Sequence, residues 1–369
     1  MTLGGSGVRF ATMPPVPPAP APVSPDPLGE ALAILAHGGR LTEDQVADAV
    51  GLLVRGDASP ERSAAFLMGL RVQGELGAEV AGAARALRAA MRRVAVPDGV
   101  VLVDTAGTGG GTVSTFNVST AAALVAAGAG ARVAKHGNRS YTSRCGSADV
   151  LEALGIDLAS QADHAGQVLE EVGMVFLFAP AFHPAMRHVA PVRRSLAVPT
   201  VMNLIGPLAN PAGVSSQVVG VADLARAPVV ADALRRLGSR HALVVHADVG
   251  MDEIAPSGVT HVWEVREGRV GTWTLDPADF GLACTDLAAL RGGDPAANAA
   301  RVERLLRAPD DDPAGRAAVV LNAGAALYVA GVAPRVREGV EHAARALHDG
   351  SGLRVLQELR RVSGVSSGG

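Results

Sequence analysis

The sequence predicts an α/β fold in which a small all-helical domain precedes a larger domain built on a largely parallel central sheet. Three observations carry this. From Leu28 to about Arg93, apolar residues recur at helical spacing and no strand-like run interrupts them. At Pro97 the texture changes, and short apolar runs suited to buried strands begin to alternate with helical stretches. The chain has 369 residues, too many for one small core, and its 48% hydrophobic content against 19% charged residues lets it bury a large one.

Eight prolines fall between Pro14 and Pro27, so residues 1–26 read as a disordered Pro/Ala-rich tail. The helical domain is expected over 27–96. Its first helix opens on Leu28 and ends at Gly38-Gly39. Thr42 with Gln45 has the spacing of a capping box. Ser59-Pro60-Glu61 starts a third helix with proline in its first turn, and Glu79–Arg93 supplies a fourth. Helices from about 182–207, including Pro184–Arg194, are expected to pack back on this domain.

The α/β domain is expected over 97–362. Val100–Asp104 reads as a strand, followed by a glycine loop and a helix over Ser119–Ala127. Strands at Ala131–Ala134, Gly173–Phe178 and Ala242–His246 then alternate with helices at Ala148–Leu154 and Pro228–Leu237. The end is helical over Asn298–Arg307, Pro313–Ala330 and Val336–Arg361, with fraying expected over 363–369.

The net charge of −3 disfavours a role on a nucleic-acid backbone. Two cysteines, Cys145 and Cys284, with no CxxC pair, exclude a disulfide framework and a cysteine zinc ribbon, and fit a reducing cytoplasm. The N-terminus lacks the continuous apolar core of a secretory signal, and no stretch reaches the roughly 18 strongly apolar residues of a membrane span. Of 33 Lys and Arg residues, 32 are arginine; the single lysine is Lys135. Under such a bias, a lone lysine marks a place where a compact ammonium is needed and a planar guanidinium does not serve.

Four segments carry chemistry. Gly107-Thr-Gly-Gly-Gly-Thr-Val-Ser-Thr-Phe-Asn-Val-Ser119-Thr120 lies between a strand and a helix. Glycines there let the backbone approach an anion, and the helix N-terminus offers free N–H groups. Neither a Walker A sequence nor GxGxxG is present. Lys135-His-Gly-Asn-Arg-Ser-Tyr-Thr-Ser143 follows the next strand, and Ser147 is placed to cap the helix after it. Asp252-Glu253 offers adjacent carboxylates of the kind that hold Mg²⁺. In the fourth segment, Phe182 to Pro211, Arg193 can clamp a carboxylate through its guanidinium fork. His136, His183 and His188 lack zinc-ligand spacing and read as structural or substrate-contacting.

Taken together, GTGG…TFNVST from Gly107, KHGNRS from Lys135, GSADVLEALG from Gly146, FHPAM from Phe182, NLIGPLANPA from Asn203 and MDEI from Met251 resemble the anthranilate phosphoribosyltransferases of tryptophan biosynthesis. The resemblance runs from about Leu28 to Arg361. It implies a nucleoside phosphorylase-like phosphoribosyltransferase fold and a cytoplasmic homodimer. It also implies transfer of the phosphoribosyl group of 5-phosphoribosyl 1-diphosphate to the anthranilate amine, with release of pyrophosphate. By motif position, Gly107, Asn138 and Arg193 would contact anthranilate. Gly107, Gly110, Gly111, Thr115, Asn117, Val118, Ser119 and Thr120 would hold phosphoribosyl diphosphate from the glycine loop. Lys135, His136, Gly137, Asn138, Arg139, Ser140, Tyr141, Thr142, Ser143 and Ser147 would hold it from the second loop. Ser119, Asp252 and Glu253 would serve Mg²⁺, two ions per subunit. No covalent nucleophile is implied, and the domain junction is expected to be a hinge.

The chain departs from the family pattern in four places. Gly111-Thr112 stands where Asp-Gly is usual, Tyr141 where a smaller residue is usual, Cys145 where serine is common, and Arg144 where lysine is frequent, in line with the arginine bias. The first departure implies changed Mg²⁺ dependence or reduced activity. The alternatives are a paralogue with another aminobenzoate-like acceptor, a catalytically impaired paralogue, and a pyrimidine nucleoside phosphorylase, whose own signature is missing.

Overall fold

The computed structural model describes residues 26–97, 99–140, 144–284 and 286–364. Residues 1–25 of the tail expected over 1–26, the loop residues Tyr141, Thr142 and Ser143, and the end over 365–369 lie outside the described residues.

Four helices open the fold: α1 (Pro27–Ala36), α2 (Glu43–Arg55), α3 (Pro60–Gln73) and α4 (Gly77–Ala89). Their starts follow the local chemistry. Asp26 is part of the fold, capping α1 by accepting from Gly29 N at 3.0 Å and pairing with Arg62. Thr42 and Gln45 form a reciprocal capping box at 2.9 and 3.2 Å. Ser59 caps α3, with Pro60 in the first turn.

The larger part runs β1 (Leu102–Gly107), α5 (Val118–Gly128), β2 (Arg132–Gly137), α6 (Ser147–Ala153), α7 (Leu158–Asp163), α8 (Ala165–Val172) and β3 (Met174–Phe178). It continues through α9 (Ala179–Phe182), α10 (Met186–Leu196), α11 (Val201–Leu204), β4 (Ser216–Gly220), α12 (Ala227–Arg236) and β5 (His241–Ala247). A hairpin, β6 (Thr260–Arg266) and β7 (Arg269–Leu275), precedes the closing helices α13 (Pro295–Arg307), α14 (Pro313–Ala330), α15 (Val336–His348) and α16 (Ser351–Gly364).

The seven strands form one sheet in the order β3-β2-β1-β4-β5-β6-β7. β1 to β5 are parallel, and β6 and β7 form an antiparallel edge. One core joins α1–α4, α10, α11 and α12 to one sheet face through Val219, Ala242 and Val244. The other face, including Val218, Leu243 and Val245, packs against α5, α14 and α16. α10 packs on α2 and α3, and α11 packs on α3 and α4, so the 182–207 region adds helices to the N-terminal layer.

Several boundaries differ from expectation. The strand expected at Val100–Asp104 starts at Leu102 and extends to Gly107, because pairing with β4 continues to Gly107 opposite Gly220. The helix expected over Val336–Arg361 is two helices. Asp349 breaks it by accepting from Ser351 N at 2.8 Å, which starts α16. Fraying does not begin at Ser363: that residue is buried in α16, and its hydroxyl donates to Leu359 O at 2.8 Å and accepts from Gln161 at 3.3 Å. β4 and the β6–β7 hairpin were not anticipated.

From β1 the chain moves to β2 and β3 on one side, while β4 and β5 lie on the other. The order therefore reverses between β1 and β4, and a crevice opens outside their carboxyl ends, where α/β sheets place ligands.

Candidate functional site

The glycine loop after β1, the loop after β2 and the turn after β5 meet at this crevice. Asn117 sits just before α5 in the left-handed region, φ 68°, and its side chain does not cap the helix. Instead it donates to Cys145 O at 3.3 Å and accepts from Asn298 Nδ2 at 2.9 Å. Glu253 serves the helix start: it accepts from Ser119 N at 3.1 Å and from the Thr115 hydroxyl at 3.0 Å. Asp252 accepts from Gly109 N at 3.1 Å. Thr112 N donates to Gly250 O at 3.1 Å, tying the glycine loop to the turn that carries both carboxylates. This turn lies so close to β4 that a Cβ on Gly220 would be 1.6 Å from Asp252 O, so only glycine fits there.

Lys135 lies in β2, 2% exposed. Its ammonium donates to Thr105 O, to the Thr105 hydroxyl at 3.3 Å and to Ser119 Oγ at 3.3 Å. Burial lowers its pKa, while the charges of Asp104 and Glu253 oppose that fall. Burial, with the charge of Asp252 beside it, raises Glu253 to about 7; Asp252 is raised by burial as well. The pair is thus an acidic site short of positive charge, reached by one ammonium and one helix N-terminus.

Successive residues of a strand face opposite ways, and β2 uses both faces. Lys135 points to the α5 side and His136 to the helical layer. His136 N donates to Asp104 Oδ1 at 3.2 Å, and its ring contacts Gly206 O at 3.2 Å. Its ring centroid is 5.0 Å from that of His183. Burial lowers His136 to about 3, with His183 adding to the effect, and burial lowers His183 to about 4, so both imidazoles are neutral near pH 7. Nε2 of His136 has no hydrogen-bond partner among the described residues, and the Ala209 backbone opposes the lowering at His183. Asp104, raised by burial to about 6, also accepts from Asn210 at 2.8 Å.

The structure brings Gly107, Thr115, Ser119, Lys135, Asp252 and Glu253 together. Gly107 borders the carboxylates directly: a Cβ there would lie 2.7 Å from Asp252 Oδ2. Gly110 and Gly111 belong to the same loop, and Gly137 ends β2. Val118 and Thr120 are fully buried in α5. Asn138 O accepts from Ala148 N at 3.2 Å, and its side chain accepts from Arg139 N at 2.8 Å. Arg139 is directed away from the carboxylates, pairing with Glu152 at 2.7 Å over the Phe178 ring. The expected cap of α6 is corrected. Gly146 is the N-cap, and Asp149 accepts from Gly146 N at 2.8 Å and Ser140 N at 3.2 Å. Ser147, already inside the helix, donates to Asn138 O at 3.3 Å. Arg193 is half-buried on α10, in the helical layer.

Sequence reasoning missed Asp104, Thr105, Asn210, Asn298 and Asn322. Two carried a usable signal. Asn298 and Asn322 are amides inside strongly helical stretches, and a polar residue at a buried helical position requires a partner. Asp104 and Thr105 gave none, since only strand register brings them to Lys135 and His136.

Residues 29–91 match the model of the glycosyl transferase family helical bundle domain, and residues 99–353 that of the glycosyl transferase family a/b domain. The anthranilate phosphoribosyltransferase of Rubrobacter xylanophilus is 50% identical over 285 residues, which are 77% of this chain and 82% of that protein. The chain belongs to the anthranilate phosphoribosyltransferase family. The Thermus thermophilus member superposes with a TM-score of 0.85 at 44% identity, covering 90% of this chain and 98% of that one. The Saccharomyces cerevisiae member, solved in complex with phosphoribosyl diphosphate and Mg, gives a TM-score of 0.81 at 29% identity, covering 92% and 98%. The family places this chain among the phosphoribosyltransferase enzymes.

Proposed function

We propose that the chain carries out its family's reaction, transfer of the phosphoribosyl group from 5-phosphoribosyl 1-diphosphate to the amine of anthranilate, in tryptophan biosynthesis. The carrying observation is the convergence of Lys135, the α5 N-terminus and the Asp252–Glu253 pair at the β1/β4 crevice. The relatives named above share this activity by name, which favours it over an altered acceptor or a silent paralogue.

Asp252, Glu253 and the Ser119 hydroxyl suit Mg²⁺. Among the described residues no three His, Cys, Asp or Glu gather into a cage. Two carboxylates beside a hydroxyl match a cation that takes its remaining ligands from phosphate oxygens and water. We infer two ions per subunit, because the carboxylate pair and a diphosphate offer donors for both. When bound, Mg²⁺ neutralises charge on the diphosphate oxygens.

In the reaction the C1–O bond to the diphosphate breaks, and pyrophosphate leaves with the electron pair. The anthranilate nitrogen lone pair forms the new C1–N bond, and the nitrogen then loses a proton. The N–H groups of the glycine loop and of α5 hold the leaving diphosphate as its charge grows, and Lys135, tied to Ser119, adds positive charge behind the helix start. Gly110, Gly111, Asn117, Val118, Thr120 and the segment from Lys135 to Ser143, with Ser147, complete the phosphoribosyl diphosphate site. Gly107, Asn138 and Arg193 orient anthranilate, the guanidinium taking its carboxylate.

A cytoplasmic homodimer belongs to the same proposal. Val72 and Leu76, 79% and 43% exposed on the helical layer, give that layer apolar contact surface. Among the described residues no helix is long and apolar enough to cross a membrane. Anthranilate fluorescence tests the reaction: loss that requires both phosphoribosyl diphosphate and Mg²⁺ supports it. No loss with folded protein, across a full Mg²⁺ titration, refutes it.

A further inference from the structure

We infer that Asn322 is a positioning residue for the acidic pair, acting through the backbone of Ile254. Asn322 lies within α14, flanked along the helix by buried Ala318, Val319, Leu321 and Ala325, and is itself 5% exposed. Its amide clamps both polar groups of Ile254: Oδ1 accepts from Ile254 N at 3.0 Å, and Nδ2 donates to Ile254 O at 2.8 Å. Nδ2 also donates to Ala318 O one turn back, at 2.9 Å, which fixes the side chain against its own helix. Both amide protons, and one acceptor position of the amide oxygen, are thus committed.

Ile254 follows Glu253 directly, and its side chain is fully buried. Holding its N–H and C=O therefore sets the peptide that leaves Glu253. The same amide lines a small cavity together with Asp252, Glu253, Ser119, Thr105 and Gly220. On the other side of that cavity, the two carboxylates reach the glycine loop and the α5 N-terminus. The acidic turn is thus pinned from beneath by an amide on a rigid, buried helix. A leucine of similar volume would fill the space better, yet would leave two backbone groups of a buried turn unpaired. Outer hydrogen bonds of this kind orient carboxylates for a cation, and their loss weakens metal affinity without touching a ligand.

The inference rests on the placement of Mg²⁺ at Asp252–Glu253 and extends it to a residue that touches neither metal nor substrate. The test compares wild type, Asn322→Leu, Asn322→Ser and Leu327→Ala, a buried deletion further along α14. Mn²⁺ binding in the presence of phosphoribosyl diphosphate is read by electron paramagnetic resonance, alongside melting temperature, half-saturating Mg²⁺ and the anthranilate KM. Asn322→Leu should weaken Mn²⁺ binding and raise half-saturating Mg²⁺ by about tenfold or more, with anthranilate KM unchanged. Asn322→Ser, which keeps a small donor and acceptor, should fall between it and wild type, and carries the test if the leucine variant does not fold. Leu327→Ala should lose melting temperature without moving metal affinity. Wild-type metal affinity in both Asn322 variants, or an equal metal shift in Leu327→Ala, overturns the inference. Failure of wild type to bind Mn²⁺ with phosphoribosyl diphosphate refutes the metal placement itself, a distinguishable result.

Discussion

Lys135 Nζ donates to Ser119 Oγ at 3.3 Å, so the one lysine of the chain is tied to the first turn of the helix that follows the glycine loop. Ser119 N, in turn, donates to Glu253 at 3.1 Å. Cation, helix start and carboxylate form one unit, and each restrains the others.

Replacing Lys135 by arginine tests whether that unit needs an ammonium. The position is 2% exposed, and three oxygens close around Nζ. A guanidinium is too broad for it and would displace Ser119 or Thr105. Lys135→Arg should lower kcat/KM for phosphoribosyl diphosphate by about 100-fold or more, the loss typical of one preorganised electrostatic contact. Steady-state kinetics at saturating anthranilate reads this, and a variant within a few-fold of wild type would show that charge alone suffices.

Gly111→Asp tests the departure in the glycine loop. A Cβ at Gly111 would lie 3.1 Å from Asp252 Oδ1 and 3.1 Å from Gly250 O, so a third carboxylate would crowd the acidic pair. Added negative charge at this distance attracts a divalent cation, and half-saturating Mg²⁺ should fall by at least about threefold. Turnover measured across a Mg²⁺ titration decides it. An unchanged profile and an unchanged rate would mean that Gly111 has no bearing on metal use.

Asn298 holds the glycine loop from the far side. It donates to Asn117 Oδ1 at 2.9 Å and accepts from Gly293 N at 2.7 Å, clamping a residue whose backbone is left-handed. Asn298→Ala should raise KM for phosphoribosyl diphosphate several-fold and leave KM for anthranilate nearly unchanged. The stability cost should be about 1–3 kcal/mol, since a buried donor loses its partner. Kinetics and a denaturant melt separate the two effects, and equal changes in both KM values would point to general loosening.

Glu264 supplies a pH signature away from the site. Hydrogen bonds from His241 at 2.8 Å, Tyr328 at 2.7 Å and Trp273 at 2.9 Å hold its pKa near 2, well below the ordinary glutamate value. A depressed carboxylate stabilises the fold above its unfolded pKa, and that contribution is lost as pH falls through the folded value. Stability should therefore drop between about pH 4.5 and pH 2, by on the order of 3 kcal/mol from this group. Tyr328→Phe should flatten the drop. Urea melts of both proteins across this window check it, and parallel curves would contradict the assignment.

Much of this was legible in the sequence, for identifiable reasons. The capping box of Thr42 with Gln45 and the helix start at Ser59-Pro60 are local signals and match the structure, because the residues involved lie within one turn. Lys135 stood out by arginine bias, and Asp252–Glu253 by adjacency. β4 was not legible: five residues buried on both faces carry no alternation. The β6–β7 hairpin had a signal that went unread, alternating runs around Glu267-Gly268, both left-handed at φ 52° and 72°. Ser147 fits the sequence rule for a cap, yet Asp149 reaches back to Gly146 and makes the glycine the cap. Partners such as Asp104, Asn210 and Asn322 lie far along the chain from the groups they hold, and only the fold joins them.

The most direct measurement follows the products. The purified chain is mixed with phosphoribosyl diphosphate, anthranilate and Mg²⁺, and N-(5-phosphoribosyl)anthranilate and pyrophosphate are quantified together by mass spectrometry and a coupled pyrophosphate assay. The expected result is equimolar formation of both, dependent on Mg²⁺ and abolished in Glu253→Gln. Pyrophosphate released without the anthranilate adduct, or neither product from folded protein, would contradict the assignment of this crevice as the transfer site.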